Sequence, residues 1–133
     1  MSKLPIIICL VGVGYIPIFM DVSNTHLFNE FWDAHARAHL AWMLAGNFFL
    51  ATLGIYLCFF KNLKVIPSLI SLGLLSGYIV SLVSMPIYDG VAIGEGGDTA
   101  APFGIPINIP FFGALWLAQL IAFYSLKNKN IQS

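Results

Sequence analysis

The sequence predicts an all-α protein: a four-helix transmembrane bundle with both termini cytoplasmic and a Gly/Pro-rich outer loop between helices 3 and 4. Three observations predict this class. Hydrophobic residues make up 59% of the 133 residues and charged residues only 9%, whereas a soluble domain carries roughly 25% charged residues. Four continuous apolar stretches are each long enough for a bilayer core, which needs about 20 residues. Because these stretches do not alternate between polar and apolar residues, they favour helices over barrel strands.

The four spans are expected to belong to a single integral membrane domain, residues 1–133. We predict them at about 4–20, 31–60, 65–85 and 107–126. The second span is longer than a bilayer requires by about ten residues, so its first turns are expected at or above the outer interface. The connection between the third and fourth spans mixes prolines and glycines with apolar residues. A connection of this length and composition is predicted to fold back over the outer face as a partial lid.

The charged residues predict the orientation. Basic residues precede the first span, separate the second from the third, and follow the fourth: Lys3, Lys61, Lys64, Lys127 and Lys129. The six acids, Arg37 and the three histidines lie on the other side. The positive-inside rule therefore predicts cytoplasmic termini. The expected location is the bacterial inner membrane, with the polar site facing outward.

Net charge and composition exclude several function classes. The formal net charge is +0, so no basic surface is expected to attract a phosphate backbone, and nucleic-acid binding is excluded. The high apolar content excludes a disordered chain. The expected partners are membrane lipid, a hydrophobic small molecule, and a membrane-protein partner or a second copy of the chain.

The residues that could carry chemistry are concentrated near the start of the second span. His35 and His39 are four residues apart and share one face of a helix, which we expect to point into the bundle. Trp32 and Trp42 flank this face, and Asn47 continues it two turns below His39. These two tryptophans and the asparagine are predicted to line a pocket for a hydrophobic ligand or cofactor. The alternatives are anchoring of the tryptophans at the membrane interface and an interhelical hydrogen bond of Asn47.

Charged and polar neighbours are expected to support the histidines. Asp33 and Arg37 are four residues apart and are expected to pair; Arg37 could instead hold an anionic headgroup. Asn24 or Thr25 is expected to cap the helix. The predicted catalytic residues are His35, His39, Asp33 and Arg37.

A metal site is one of three interpretations of the histidines. Two helical histidines at this spacing can bind one metal ion from a single rigid element. With two further residues the predicted ligand set is His26, His35, His39 and Asp89, and its nitrogen and oxygen donors suit iron, zinc or manganese. The other two interpretations are acid/base or polar contact without metal, and a purely structural pair.

The stretch from His26 to His39 resembles a known sequence pattern. The string His26-x-Phe28-Asn29-x-x-Trp32-x-x-His35-Ala36-Arg37-x-His39 resembles a pattern, H-x-F-N-x-x-W-x-x-H-A-(K/R)-x-H, found in a family of small, uncharacterised four-span membrane proteins. It covers about 14 of the 133 residues, together with the four-span layout. The resemblance implies that these histidines belong to a recurrent unit, and it implies no reaction.

Two functions from different classes fit these observations, and whether the protein is an enzyme stays open. The first is a small membrane-embedded enzyme, with a histidine/carboxylate site at the exoplasmic interface that acts on a hydrophobic or lipid-like substrate. The alternative is a non-enzymatic accessory subunit of a larger membrane complex, or a protein that binds a lipid, pigment or quinone. A transporter is the least expected, because no span carries a charge at mid-membrane.

Overall fold

The computed structural model describes residues 3–92 and 101–131, and all regular structure within these ranges is helical. The α-helices are α1 (Leu4–Gly14), α2 (Ile16–Asp21), α3 (Ala34–Phe60), α4 (Val65–Ser84) and α5 (Asn108–Ile131). Two short 3₁₀ turns, Met85–Ile87 and Pro102–Gly104, lie in the connection between α4 and α5. The middle of this connection, residues 93–100 with Glu95 and Asp98, lies outside the described residues, so the predicted lid is described only in part.

Among the described residues, four helical segments are long and apolar enough to cross a membrane. They are Leu4–Asp21, which comprises α1 and α2, then Ala34–Phe60, Val65–Ile87 and Asn108–Asn128. This confirms the predicted helical class and the four membrane-length helices, and it is consistent with an integral membrane protein. The second segment is 27 residues long, well beyond the roughly 20 residues that a bilayer core requires.

The first membrane-length segment is broken at Tyr15, between α1 and α2. Pro17 has no N–H to donate to the preceding turn, so the helical ladder is interrupted there. The break is anchored to α3, because the Tyr15 hydroxyl lies 2.7 Å from Thr52 Oγ1. The Tyr15 ring also packs edge-on against Phe48, with 5.0 Å between ring centroids.

The membrane-length helices form a bundle whose neighbours follow chain order. The α1 helix packs against α3 and α5, α3 packs against α4, and α4 packs against α5. The α1 helix also contacts α4 across the bundle, and it contributes residues to both core clusters. One cluster contains Ile6, Leu10, Ala51, Cys58 and Leu126, and the other contains Cys9, Val13 and Leu75.

Small residues allow α1 and α3 to approach closely. A Cβ atom added to Gly14 would overlap Ala51 Cβ and lie 3.1 Å from the Asn47 carbonyl oxygen. A Cβ atom on Gly54 would lie 2.9 Å from Leu10 Cδ1. Because each glycine lies directly against an atom of the other helix, these contacts determine which face of α3 is turned inward.

Polar side chains join α4 to α5 inside the bundle. Gln119 and Ser68 are both fully buried, and Gln119 Nε2 donates a hydrogen bond to Ser68 Oγ. About two turns further along α4, Trp116 Nε1 donates a hydrogen bond to Ser76 Oγ at 3.0 Å. Interhelical bonds of this kind contribute about 0.6–2 kcal/mol each in membrane proteins, so they orient the two helices more than they drive their association.

Candidate functional site

Asp33 determines where α3 begins, and therefore where the histidines lie. Its backbone is extended, with φ −53° and ψ 136°, and its Oδ1 accepts the N–H of His35 at 2.8 Å. This N-cap satisfies one of the free N–H groups in the first turn. The prediction that Asn24 or Thr25 caps the helix is wrong, because the residues after Asn24 and Thr25 form turns and the helix begins only at Ala34.

Removing this cap is expected to loosen the first turn of α3. Asp33→Ala should lower the free energy of unfolding by about 1 kcal/mol, because the N–H of His35 loses its acceptor. Asp33→Asn keeps an acceptor oxygen and should retain most of the stability. Amide hydrogen exchange in the first turn checks this: equal protection in both variants and in the wild type would contradict the capping role.

His35 and His39 form a side-by-side pair on the first turns of α3. Their Nε2 atoms are 2.9 Å apart, and their rings meet edge-on with 4.5 Å between centroids. One imidazole therefore donates its N–H to the lone pair of the other. The His39 ring also lies 6.0 Å from the ring of Trp42, so the pair continues into an aromatic surface.

The histidine pair lies on the outside of the bundle. Leu44, Ala51 and Cys58 mark the inner face of α3, with exposures of 4%, 0% and 0%. At about 100° per residue, His35 lies roughly 180° around the helix from Leu44, and both histidines are exposed. The prediction that the histidine face points into the bundle is therefore wrong. The physical reason is the close approach of α1, which requires the small-residue face of α3.

His26 belongs to a separate polar cluster between α2 and α3. Its Nδ1 lies 2.9 Å from Thr25 Oγ1, and its Nε2 lies 4.0 Å from Asp21 Oδ1. Its ring meets that of Trp32 edge-on at 5.7 Å. The sequence offered no signal for this cluster, because Thr25, His26 and Trp32 lie between α2 and α3, in a segment that has no helical periodicity.

The other predicted residues do not join the histidine pair. Arg37 donates its backbone N–H to the Asp33 carbonyl at 3.1 Å, but the expected ion pair between their side chains is not formed. Asp89 is exposed, with a positive φ of 54°, beyond the 3₁₀ turn that follows α4. Within the described residues, no three His, Cys, Asp or Glu side chains are placed to hold one metal ion. The predicted ligand set of His26, His35, His39 and Asp89 is therefore not assembled there.

An open groove of about 530 Å³ runs along the outer face of α3, starting at His39. Gly46 has no side chain and leaves a notch between Trp42, four residues earlier, and Leu50, four residues later. The groove is mostly apolar, and its polar groups are a histidine and an asparagine. The lining residues are His39, Leu40, Trp42, Met43, Gly46, Asn47 and Leu50.

The groove contains two of the three predicted pocket residues. Trp42 and Asn47 line it, whereas Trp32 packs against His26 instead. The aliphatic part of the lining was not expected. Its signal in the sequence is a glycine with a large apolar residue four positions away on each side.

Comparison with known proteins identified no relative of this chain. No family model matches the chain, and no curated protein and no solved structure matches it. The resemblance of the histidine string to a family pattern therefore stays a prediction.

Proposed function

We propose that the protein binds an uncharged amphiphilic molecule, of the quinone, pigment or neutral-lipid type, in the groove on the outer face of α3. The observation that carries this proposal is the notch at Gly46, which lies between Trp42 and Leu50 with His39 and Asn47 at its edges. A volume of about 530 Å³ falls within the range of small-molecule sites. A bound ring would replace the missing side chain of Gly46.

The lining supports an apolar body with one neutral polar group. Trp42 is 73% exposed and Met43 is 49% exposed, so an indole face and an adaptable thioether are available for contact. The Asn47 side chain makes no hydrogen bond with the described residues, so its amide is free to bind a carbonyl or a hydroxyl group. The lining contains no Asp, Glu, Lys or Arg, so an anionic headgroup would find no countercharge.

The position of the groove supports entry from the bilayer. A groove on the outer face of a membrane helix opens towards the lipid, and a hydrophobic molecule can reach it laterally. Under the positive-inside rule, the N-terminal end of α3 lies on the exoplasmic side. We therefore place the groove in the outer half of the membrane, and the bacterial inner membrane is the proposed location.

Quenching of Trp42 fluorescence by a short-chain alkyl benzoquinone tests the proposal in detergent micelles. The chain has three tryptophans, and a background variant with Trp32→Phe and Trp116→Phe retains only Trp42 as a fluorophore of this type. In this background, Gly46→Leu should fill the notch and weaken quinone binding by at least about fivefold, since overpacking costs about 1–3 kcal/mol.

Gly73→Leu in the same background is the matched control. Like Gly46, Gly73 lies in a helix with no atom within 4 Å of an added Cβ, and binding should be unchanged. Equal quenching in the two leucine variants would overturn the proposal. Stoichiometric co-purification of a large membrane protein, displaced by Gly46→Leu, would favour the accessory-subunit alternative.

The enzyme hypothesis stays a prediction. Of its four proposed catalytic residues, one lines the groove, His39. Asp33 is engaged in capping α3, and Arg37 does not line the groove. Binding of a hydrophobic molecule therefore has more support from the geometry than turnover by a histidine/carboxylate pair.

A further inference from the structure

The imidazole pair on α3 has a geometry that a metal ion can use. His35 and His39 turn their Nε2 atoms towards each other at 2.9 Å. Two nitrogen ligands at about 2.0–2.1 Å from one metal ion are about 2.9 Å apart when they subtend 90°, and about 3.4 Å apart at the tetrahedral angle. The observed separation therefore matches two adjacent positions of a square-planar or octahedral centre.

Little has to change for the pair to chelate an ion. In the present contact, one ring carries its proton on Nε2 and the other presents a lone pair there. Chelation requires both rings to carry the proton on Nδ1, which is a change of tautomer in one ring and releases no net proton. Neither imidazole makes a further hydrogen bond with the described residues, so no hydrogen bond other than the one between the two rings has to break when they turn towards an ion.

We propose that His35 and His39 together bind one divalent transition-metal ion through their Nε2 atoms. Two neutral imidazoles favour copper, nickel or zinc, and they disfavour magnesium and calcium, which prefer oxygen ligands. Within the described residues no third His, Cys, Asp or Glu completes the site. The remaining coordination positions are therefore open to water or to a small ligand, and the ion exchanges with a chelator.

The proposed metal site and the proposed amphiphile site share His39, but each also contains a residue that the other lacks. His35 does not line the groove, and the notch at Gly46 contains no metal ligand. His35→Ala should therefore weaken metal binding at least about tenfold and leave quenching of Trp42 intact. Gly46→Leu should do the reverse, so failure of one proposal is distinguishable from failure of the other.

Titration with Cu²⁺ alone tests the metal site. The full chain, without an affinity histidine tag, is titrated in detergent and followed by electron paramagnetic resonance, which reports nitrogen ligands on copper. One equivalent should bind to the wild type. Affinity should fall at least about tenfold in His35→Ala and in His39→Ala, because each variant leaves a single ligand. His26→Ala is the matched control and should bind like the wild type, since His26 contacts Asp21 and Thr25 instead.

A variant with the same number of histidines tests the spacing. His39→Ala/Ala41→His moves the second imidazole to about 240° around the helix from His35, where the two rings cannot share one ion. This variant should also lose binding. Wild-type affinity in the displaced variant, or an equal loss in His26→Ala and His35→Ala, would overturn the proposal.

Discussion

A single methyl group on Gly14 is expected to be among the most destabilising small changes in the protein. The added Cβ in Gly14→Ala would overlap Ala51 Cβ and press on the Asn47 carbonyl oxygen. Neither contact can be relieved by rotating a side chain, so α1 and α3 must move apart. Overpacking of this kind costs about 1–3 kcal/mol, and the gain in helix propensity returns at most about 1 kcal/mol. We expect a net loss of about 1–2 kcal/mol in the free energy of unfolding, measured by SDS titration in mixed micelles.

Two further variants separate the contact from a general effect of removing glycine. Gly73→Ala makes the same substitution where an added Cβ meets no atom within 4 Å, and it should be neutral or slightly stabilising. Ala51→Gly combined with Gly14→Ala removes the atom that is overlapped, and it should restore stability to within about 1 kcal/mol of the wild type. A double variant no more stable than Gly14→Ala would show that the α1–α3 contact is not the cause.

Truncation of Gln119 is expected to have the second large effect. Gln119 is fully buried between α4 and α5 and donates to Ser68 Oγ. Gln119→Ala removes this interhelical bond and leaves a cavity, and together these losses should lower the free energy of unfolding by about 2 kcal/mol. The same SDS titration measures it. Leu117→Ala, at an exposed position of the same helix, should change stability much less.

Gln119→Leu distinguishes packing from hydrogen bonding at this position. Leucine fills most of the volume, and it also removes Gln119 Oε1, which has no hydrogen-bond partner among the described residues. A buried oxygen without a donor is itself destabilising. We therefore expect Gln119→Leu to lie within about 1 kcal/mol of the wild type. A loss as large as that of Gln119→Ala would mean that the bond to Ser68 outweighs the packing.

The outer face of α3 brings together the two proposed sites. His39 belongs to both, because its Nε2 faces His35 and its side chain lines the groove beside Trp42. A metal ion held by the pair would lie at the upper end of the groove. The enzyme hypothesis therefore predicts that loss of His39 weakens both metal binding and amphiphile binding.

Local features of the chain were sufficient to predict the class of the protein. The length and continuity of the apolar stretches follow from each residue's own hydropathy, so the four membrane-length helices were predictable within a few residues of their bounds. The four-residue spacing of His35 and His39 places both on one face of any helix, so their contact was predictable too. The start of α3 was less predictable, because several residues in the preceding segment could have served as the cap.

The sequence by itself determined that this is a helical, membrane-length bundle whose histidines are concentrated at one end of its longest helix. Only the tertiary structure decided which way those histidines face. In a soluble helix the apolar stripe marks the inner side, but α3 is apolar around most of its circumference, so hydropathy does not separate inside from outside. The inner face is chosen by the fit of Gly14 against Ala51, two residues far apart in the chain. That fit turns His35 and His39 away from the core and places the groove where the bilayer or a ligand can reach it.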